Sequence, residues 1–356
     1  MKEMHNKAVL QTVFRWFAGA GISVVLVWGI TAFWLDSITV YEWNSTLGTF
    51  VIAPTQKYVW HSEGWAETQI GKYGINAIDD VTAVSGHKVA IWGDSFVAAF
   101  QVPDEDKMTQ QVTRIWNESH DNELTAIGIG AMGQSPVDYY FGMPKYKELL
   151  GSVVAHFVIL TNVSEVLPIP NAKECRFVSE PEYRFIESKW HPRHPKVRPV
   201  VQAYHMEFLW ILGRELFLEP WRFRVGPVER DNPEDELPYV STEPMAFLLD
   251  KFKKIEKEPI VFIYMPSVPS IENGAIQYDD PDAVHMELFA GECEKRGFSY
   301  INLGEKFEDF YRRTGRFHRG FWNWHPILGH LNVHGHRIVA EAICEYIETY
   351  SDALFK

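Results

Sequence analysis

The chain has 356 residues, and a hydrophobic content of 46% supplies enough apolar side chains for one large domain plus appendages. Its 34 Lys and Arg against 47 Asp and Glu give a formal charge of -13. No long basic run interrupts that acidity, which excludes nucleic acid as a partner and otherwise says only that the part outside any membrane is soluble.

Residues 17–35, FAGAGISVVLVWGITAFWL, contain no charged side chain and are about long enough to cross a bilayer as a helix. Lys2, Lys7 and Arg15 precede them, a flank that keeps residues 1–16 in the cytoplasm and places everything after Asp36 on the far side, in the periplasm or outside the cell. Phe33 and Trp34 suit the interface at one end. A cleaved signal peptide is the alternative, but its apolar core is usually shorter, and Thr31-Ala32-Phe33-Trp34 lacks a small-x-small site. The reading favoured is a retained signal anchor in a cell or inner membrane.

Residues 36–86 mix aromatics, Gly and polar residues without periodicity and read as a linker and an N-terminal cap. From Lys88 the pattern becomes regular. Strands are expected near 88–92, 124–127, 153–160, 260–264 and 300–303, with helices near 107–117, 137–150, 242–257, 282–296 and 335–350. Strands that alternate with helices imply an α/β fold with a parallel sheet covered on both faces. At about 163–241 the rhythm breaks into a stretch rich in Pro, Arg, Trp and His, too long for an ordinary connection, and it reads as a specificity insertion or lid. Within it, residues 205–223 are unusually apolar and aromatic for a loop and read as a helix that rests on the core, on a membrane surface or on a partner.

Four segments carry chemistry. Trp92-Gly93-Asp94-Ser95-Phe96 ends the first core strand, so Ser95 falls at a strand-to-helix junction, where a hydroxyl sits at the ligand edge of a parallel sheet. The plainer reading is that Asp94 and Ser95 cap a helix. Ala126 to Gly133 follows the second strand, and its glycines let backbone N–H groups approach a ligand. The third strand ends in Asn162, and Gly329 to His336 precedes the last helix. Alone, Gly130 reads as a turn and Asn162 as a cap.

In this order the blocks resemble the SGNH hydrolases, the GDSL-type esterases, with Ser95, Gly130, Asn162 and His330 in the four named positions over residues 85–350. The run His330-Leu331-Asn332-Val333-His334-Gly335-His336 is the most specific piece. The resemblance implies a three-layer α/β/α, flavodoxin-like sheet in a domain spanning 87–352. It implies Ser95 as nucleophile, His330 as base, and an oxyanion hole made by the N–H groups of Ser95 and Gly130 and the Asn162 amide. One departure stands out: the family's usual Asp three residues before the His is here Ile327. Glu308 and Asp309 lie upstream, but nothing in the sequence places them near His330, so the third member of a triad is left open.

Asp94, Trp322, Trp324 and His325 are further candidates for substrate contact, the aromatics because they can stack on a sugar ring or equally form a local cluster. His318, His325, His330, His334 and His336 invite a zinc reading. Gly335 and the missing Glu after His330 argue against it, and neither metal nor cofactor is expected. Cys175, Cys293 and Cys344 have no paired metal spacing and allow at most one disulfide. The function expected is hydrolysis of acyl esters, on cell-surface or secreted polysaccharide by analogy. Transfer of the acyl group, lipid esters, and a catalytically silent glycan-binding or assembly protein remain alternatives.

Overall fold

The computed structural model describes residues 2–54, 57–168, 176–179, 182–187, 192, 196–207, 209, 210, 241–255 and 257–356. They fall into two compact units, Met1–Val40 with His194–Arg230, and Tyr41–Arg193 with Asp231–Lys356.

The first unit is dominated by helix α1 (Lys2–Trp34). It begins well before the apolar run because residues 2–16 contain neither Gly nor Pro to stop it. Val9–Ile30 is long and apolar enough to cross a membrane, and a signal sequence passes the same test. Leu10, Phe14, Trp16, Phe17, Ile22, Val25 and Leu26 are all exposed along it. In the same unit the Arg198 guanidinium donates to the Thr39 carbonyl at 2.8 Å.

The second unit opens with two antiparallel hairpins, β1 (Tyr41–Asn44) with β2 (Thr49–Ile52) and β3 (Lys57–Trp60) with β4 (Ala66–Gln69). There follow β5 (His87–Gly93), α2 (Ser95–Ala98), α3 (Met108–Ser119), β6 (Leu124–Gly130), α4 (Pro136–Leu150) and β7 (Ala155–Leu160). A small hairpin, β8 (Arg176–Val178) with β9 (Arg184–Ile186), precedes α5 (Glu243–Phe252) and β10 (Ile260–Tyr264). The chain closes with the hairpin β11 (Ser270–Glu272) and β12 (Ala275–Gln277), then α6 (Ala283–Arg296), β13 (Ser299–Asn302), α7 (Gly304–Thr314) and α8 (Val333–Thr349).

Five strands form one parallel sheet in the order β13-β10-β7-β5-β6. Every residue of β7 and β10 is buried, as expected of strands covered on both faces. Side chains alternate between the faces. Trp92, Val158, Leu160, Phe262 and Tyr264 face one cluster with Met143 of α4, Leu248 and Phe252 of α5, and Phe289 of α6. Val89, Ile91, Phe157, Ile159, Val261 and Ile263 face the other, with Val112 and Trp116 of α3, Phe307 of α7, and Val339 and Ile343 of α8. This is the three-layer α/β/α arrangement, and all five expected strands are present in it. Because β6 lies on one side of β5 and β7 on the other, the chain reverses its direction of travel at β5, and the carboxyl end of that strand is where such sheets open a crevice.

The described residues between 41 and 86 pack within this unit. Ile52, Tyr58 and Ile70 bury themselves with Ala98 and Phe100. Lys107, fully buried at the start of α3, donates to Thr68 Oγ1 at 2.7 Å and pairs with Asp104 at 2.8 Å. The Asn76 amide donates to the Ala98 carbonyl at 2.7 Å, closing the cap over α2. Of the expected insertion, β8 and β9 pack Phe177 and Phe185 against Phe247 of α5. Most of the expected lid, including residues 211–223 of its apolar helix, lies outside the described residues, as does Cys175.

Candidate active site

Strand β5 delivers the chain to Asp94, whose carboxylate accepts from the Phe96 N–H at 2.9 Å and caps the single turn of α2. Asp94 thus has a structural task in the turn that presents Ser95. Gly93 and Gly130 are paired across β5 and β6. A Cβ on Gly93 would lie 2.3 Å from Val97 Cγ2, and one on Gly130 within 3 Å of the Ala98 nitrogen, Val97 Cβ and the Asp94 carbonyl oxygen. Both strands therefore end in glycine because α2 lies directly on them.

The His330 run has an equally local logic. Asn332 caps α8, its Oδ1 accepting from the His334 and Gly335 N–H groups, while its Nδ2 donates to the Phe317 carbonyl at 2.9 Å. A Cβ on Gly335 would fall 2.3 Å from the His318 carbonyl oxygen, so only glycine lets the helix approach there. His336 is buried and accepts from the Met108 N–H at 3.3 Å; burial pushes its pKa down to about 3, so it stays neutral. The run is thus a device for seating α8 so that His330, just before it, faces Ser95.

The His330 Nε2 lies 2.8 Å from Ser95 Oγ. Its Nδ1 lies 2.6 Å from Glu63 Oε2, and its backbone N–H donates to Glu63 Oε1 at 2.7 Å. A carboxylate only accepts, so Nδ1 carries the proton and Nε2 is left to accept from the serine hydroxyl. The Glu63 side chain is 11% exposed and that of His330 is 21% exposed, which leaves the serine end open to a ligand while the acid is shielded. Phe96 packs beside the imidazole, with ring centroids 5.0 Å apart, and the Arg319 guanidinium covers the other ring at 4.8 Å.

The carboxylate that stands beside the His330 Nδ1 is thus Glu63, from the loop between β3 and β4. The sequence carries almost no sign of this. Glu63 is a lone acid between aromatics in a segment without periodicity, and it comes from the opposite end of the domain. Neither upstream acid takes the position: Glu308 bonds to Arg312 Nε at 2.7 Å on the exposed side of α7, which Asp309 shares, and the Ile327 N–H faces His325 Nδ1 at 3.4 Å.

Asn162, after β7, is held in one orientation. Its Oδ1 accepts from the Ser164 N–H at 3.0 Å and from the Ser164 hydroxyl, so its Nδ2 points the other way, toward Thr161 Oγ1 at 3.1 Å and Glu165 Oε1 at 3.3 Å. Glu165 also accepts from the Thr161 N–H at 2.8 Å and the Thr161 hydroxyl. Burial drives the Glu165 carboxyl up to about 7, against the opposing pull of those hydrogen bonds. The cap role of Asn162 is thus carried by its Oδ1, while its Nδ2 donates within the same turn.

In the stretch between α7 and His330, Trp322 is 83% exposed and Trp324 is also exposed, the latter packing so close to Gly329 that a Cβ there would meet its ring. His61 stacks on Trp65 with ring centroids 3.7 Å apart. The other histidines disperse: His318 is stacked on Phe307 at 3.8 Å, and His334 sits beside Phe310 and Arg316.

No family model matches the chain, and no curated protein matches it. Solved structures do. One is a member of the lipolytic protein G-D-S-L family from Veillonella parvula, 10% identical, covering 74% of this chain and 98% of that one with a TM-score of 0.37. A lipase/acylhydrolase from Enterococcus faecalis is 12% identical, covering 74% and 96% with a TM-score of 0.38. A catalytic variant of an acetylxylan esterase from Geobacillus stearothermophilus is 11% identical, covering 75% and 96% with a TM-score of 0.38. By their descriptions these are lipolytic and esterase proteins.

Proposed function

We propose that the chain is a serine esterase of the SGNH type, anchored by α1 with its catalytic unit facing the periplasm or cell exterior, and acting on acyl esters of polysaccharide. The observation that carries the reading is the unbroken relay from Ser95 Oγ to His330 to Glu63, at 2.8 and 2.6 Å. In it, His330 Nε2 takes the Ser95 proton as Oγ attacks the ester carbonyl, and Glu63 holds the imidazole in the required tautomer and stabilises its charged form. The N–H groups of Ser95 and Gly130 and the Asn162 amide, turning from its Thr161 and Glu165 partners, receive the oxyanion, each such donor contributing about 2.7 to 4 kcal/mol in acyl-transfer enzymes. His330 then protonates the departing alkoxide, and water, activated in the same way, releases the acid.

Two features favour a carbohydrate substrate. Trp322 and Trp324 expose flat aromatic faces on the strap that leads to His330, and the α1 topology would place the unit where polysaccharides are exported. A sugar hydroxyl in place of water would turn the same residues to acyl transfer. The silent-binding alternative rested on the missing Asp at Ile327, and the Glu63 contact removes that reason for it. The test is release of acetate from an acetylated oligosaccharide by the full chain in detergent. The reading predicts turnover that Ser95→Ala abolishes; release unaffected by that change would refute it.

A further inference from the structure

Glu63 is held on a loop, residues 61–65, with no regular secondary structure of its own. Loops are mobile by default, and a carboxylate that must meet two N–H groups of one histidine needs its backbone fixed. One side chain, 259 residues beyond Gly64, does this. Asn323 Nδ2 donates to the Gly64 carbonyl at 2.6 Å and to the His61 carbonyl at 2.7 Å, and its Oδ1 accepts from the Gly64 N–H at 2.9 Å. Both amide hydrogens and the amide oxygen are thereby used, on backbone groups that bracket Glu63 on either side.

The loop packs tightly at Gly64. Gly64 has φ +78°, and a Cβ there would lie 2.2 Å from the Gln101 carbonyl oxygen. The strap carrying Asn323 is itself tied to the base: the Gly320 N–H donates to the His330 carbonyl at 3.0 Å, and the Phe321 N–H to the His325 carbonyl at 2.8 Å. The acid and the histidine are thus aligned from the same short stretch of chain.

We infer that Asn323 is a positioning residue for the proposed esterase reaction, acting through Glu63 and not on the substrate. The inference rests on the esterase reading for its kinetic consequence, but its structural content is separate. A misplaced catalytic group of this kind costs on the order of 100-fold. Asn323→Ala therefore lowers kcat by about 10- to 100-fold with KM little changed. Asn323→Asp keeps the volume and the contact to the Gly64 N–H but loses both donors, and falls with it.

The test combines a double-mutant cycle with a spectroscopic signature. Wild type, Glu63→Ala, Asn323→Ala, Asn323→Asp and the Glu63→Ala/Asn323→Ala pair are compared for kcat, and for the low-field proton resonance of the His330 Nδ1–H held by Glu63. The expected result is that the pair is no slower than Glu63→Ala alone, and that the resonance weakens or moves in both Asn323 variants while folded signals elsewhere persist. Losses that multiply in the pair, or an unchanged resonance in Asn323→Asp, would overturn the inference. A wild type that shows the resonance yet hydrolyses no ester would instead sink the esterase reading alone.

Discussion

Glu63 and His330, 267 positions apart, share two hydrogen bonds, one to the imidazole Nδ1 and one to the backbone N–H. The second bond matters as much as the first, because it fixes the carboxylate against the main chain and leaves its other oxygen no freedom except to face the ring. Glu63→Gln keeps the shape but can present an amide N–H to Nδ1, which selects the wrong tautomer. By analogy with such a change in serine proteases, kcat falls by about 10,000-fold. Steady-state kinetics on a chromogenic acetate ester checks this, and a Gln variant within threefold of wild type would show that Glu63 plays no part.

Asn162→Ala removes the amide hydrogen proposed for the oxyanion. A loss of about 100- to 1,000-fold in kcat is expected, with KM nearly constant. Because Asn162 also caps the turn at Val163–Val166, Asn162→Asp is the sharper variant: its carboxylate can still accept from the Ser164 N–H but cannot donate. The Asp variant is expected to fold with its activity lost, and with some stability lost as well where the new carboxylate faces Glu165.

Glu165 gives a pH signature. Burial raises its pKa from 4.5 to about 7, so between those values the folded protein holds a proton that the unfolded chain has released. Stability contributed by this group is therefore full below about 4.5 and declines as pH rises toward 7. Denaturation curves of wild type and Glu165→Gln across pH 4 to 8 (about the window that linkage defines) measure it as a difference, with Gln gaining relative stability as pH rises. A difference that does not vary with pH would contradict the assignment.

Trp322 stands well clear of the core, so Trp322→Ala should leave stability and turnover of a small acetate ester unchanged. Against an acetylated oligosaccharide its KM should rise by about 3- to 10-fold, the scale of an aromatic contact worth roughly 0.5 to 1.5 kcal/mol. Equal effects on both substrates would place Trp322 in the fold or the chemistry instead of a sugar contact.

The central sheet strands could be read from the sequence because they are short, mainly apolar runs bounded by polar turns, and the full burial of β7 and β10 demands that composition. His330 was legible for a different reason: Asn332 and Gly335 are forced by the cap and the close approach to His318, and that local geometry prints a local motif. Glu63 left no such print. Its position depends on a tertiary contact with Asn323 and His330, and the flanking residues 61–65 obey no helix or strand period that would mark the loop as anything but a connection. The start of α1 at Lys2 lies well ahead of the apolar run at 17–35, since that run marks where a helix can enter a membrane and not where its hydrogen bonding begins.

The most direct measurement of the central claim is covalent labelling by a serine-directed fluorophosphonate, with the modified peptide identified by mass spectrometry. The account predicts rapid labelling at Ser95, slowed strongly by His330→Ala and by Glu63→Gln and absent in Ser95→Ala. A folded protein whose Ser95 stays unlabelled, or is labelled no faster than its other serines, would contradict it.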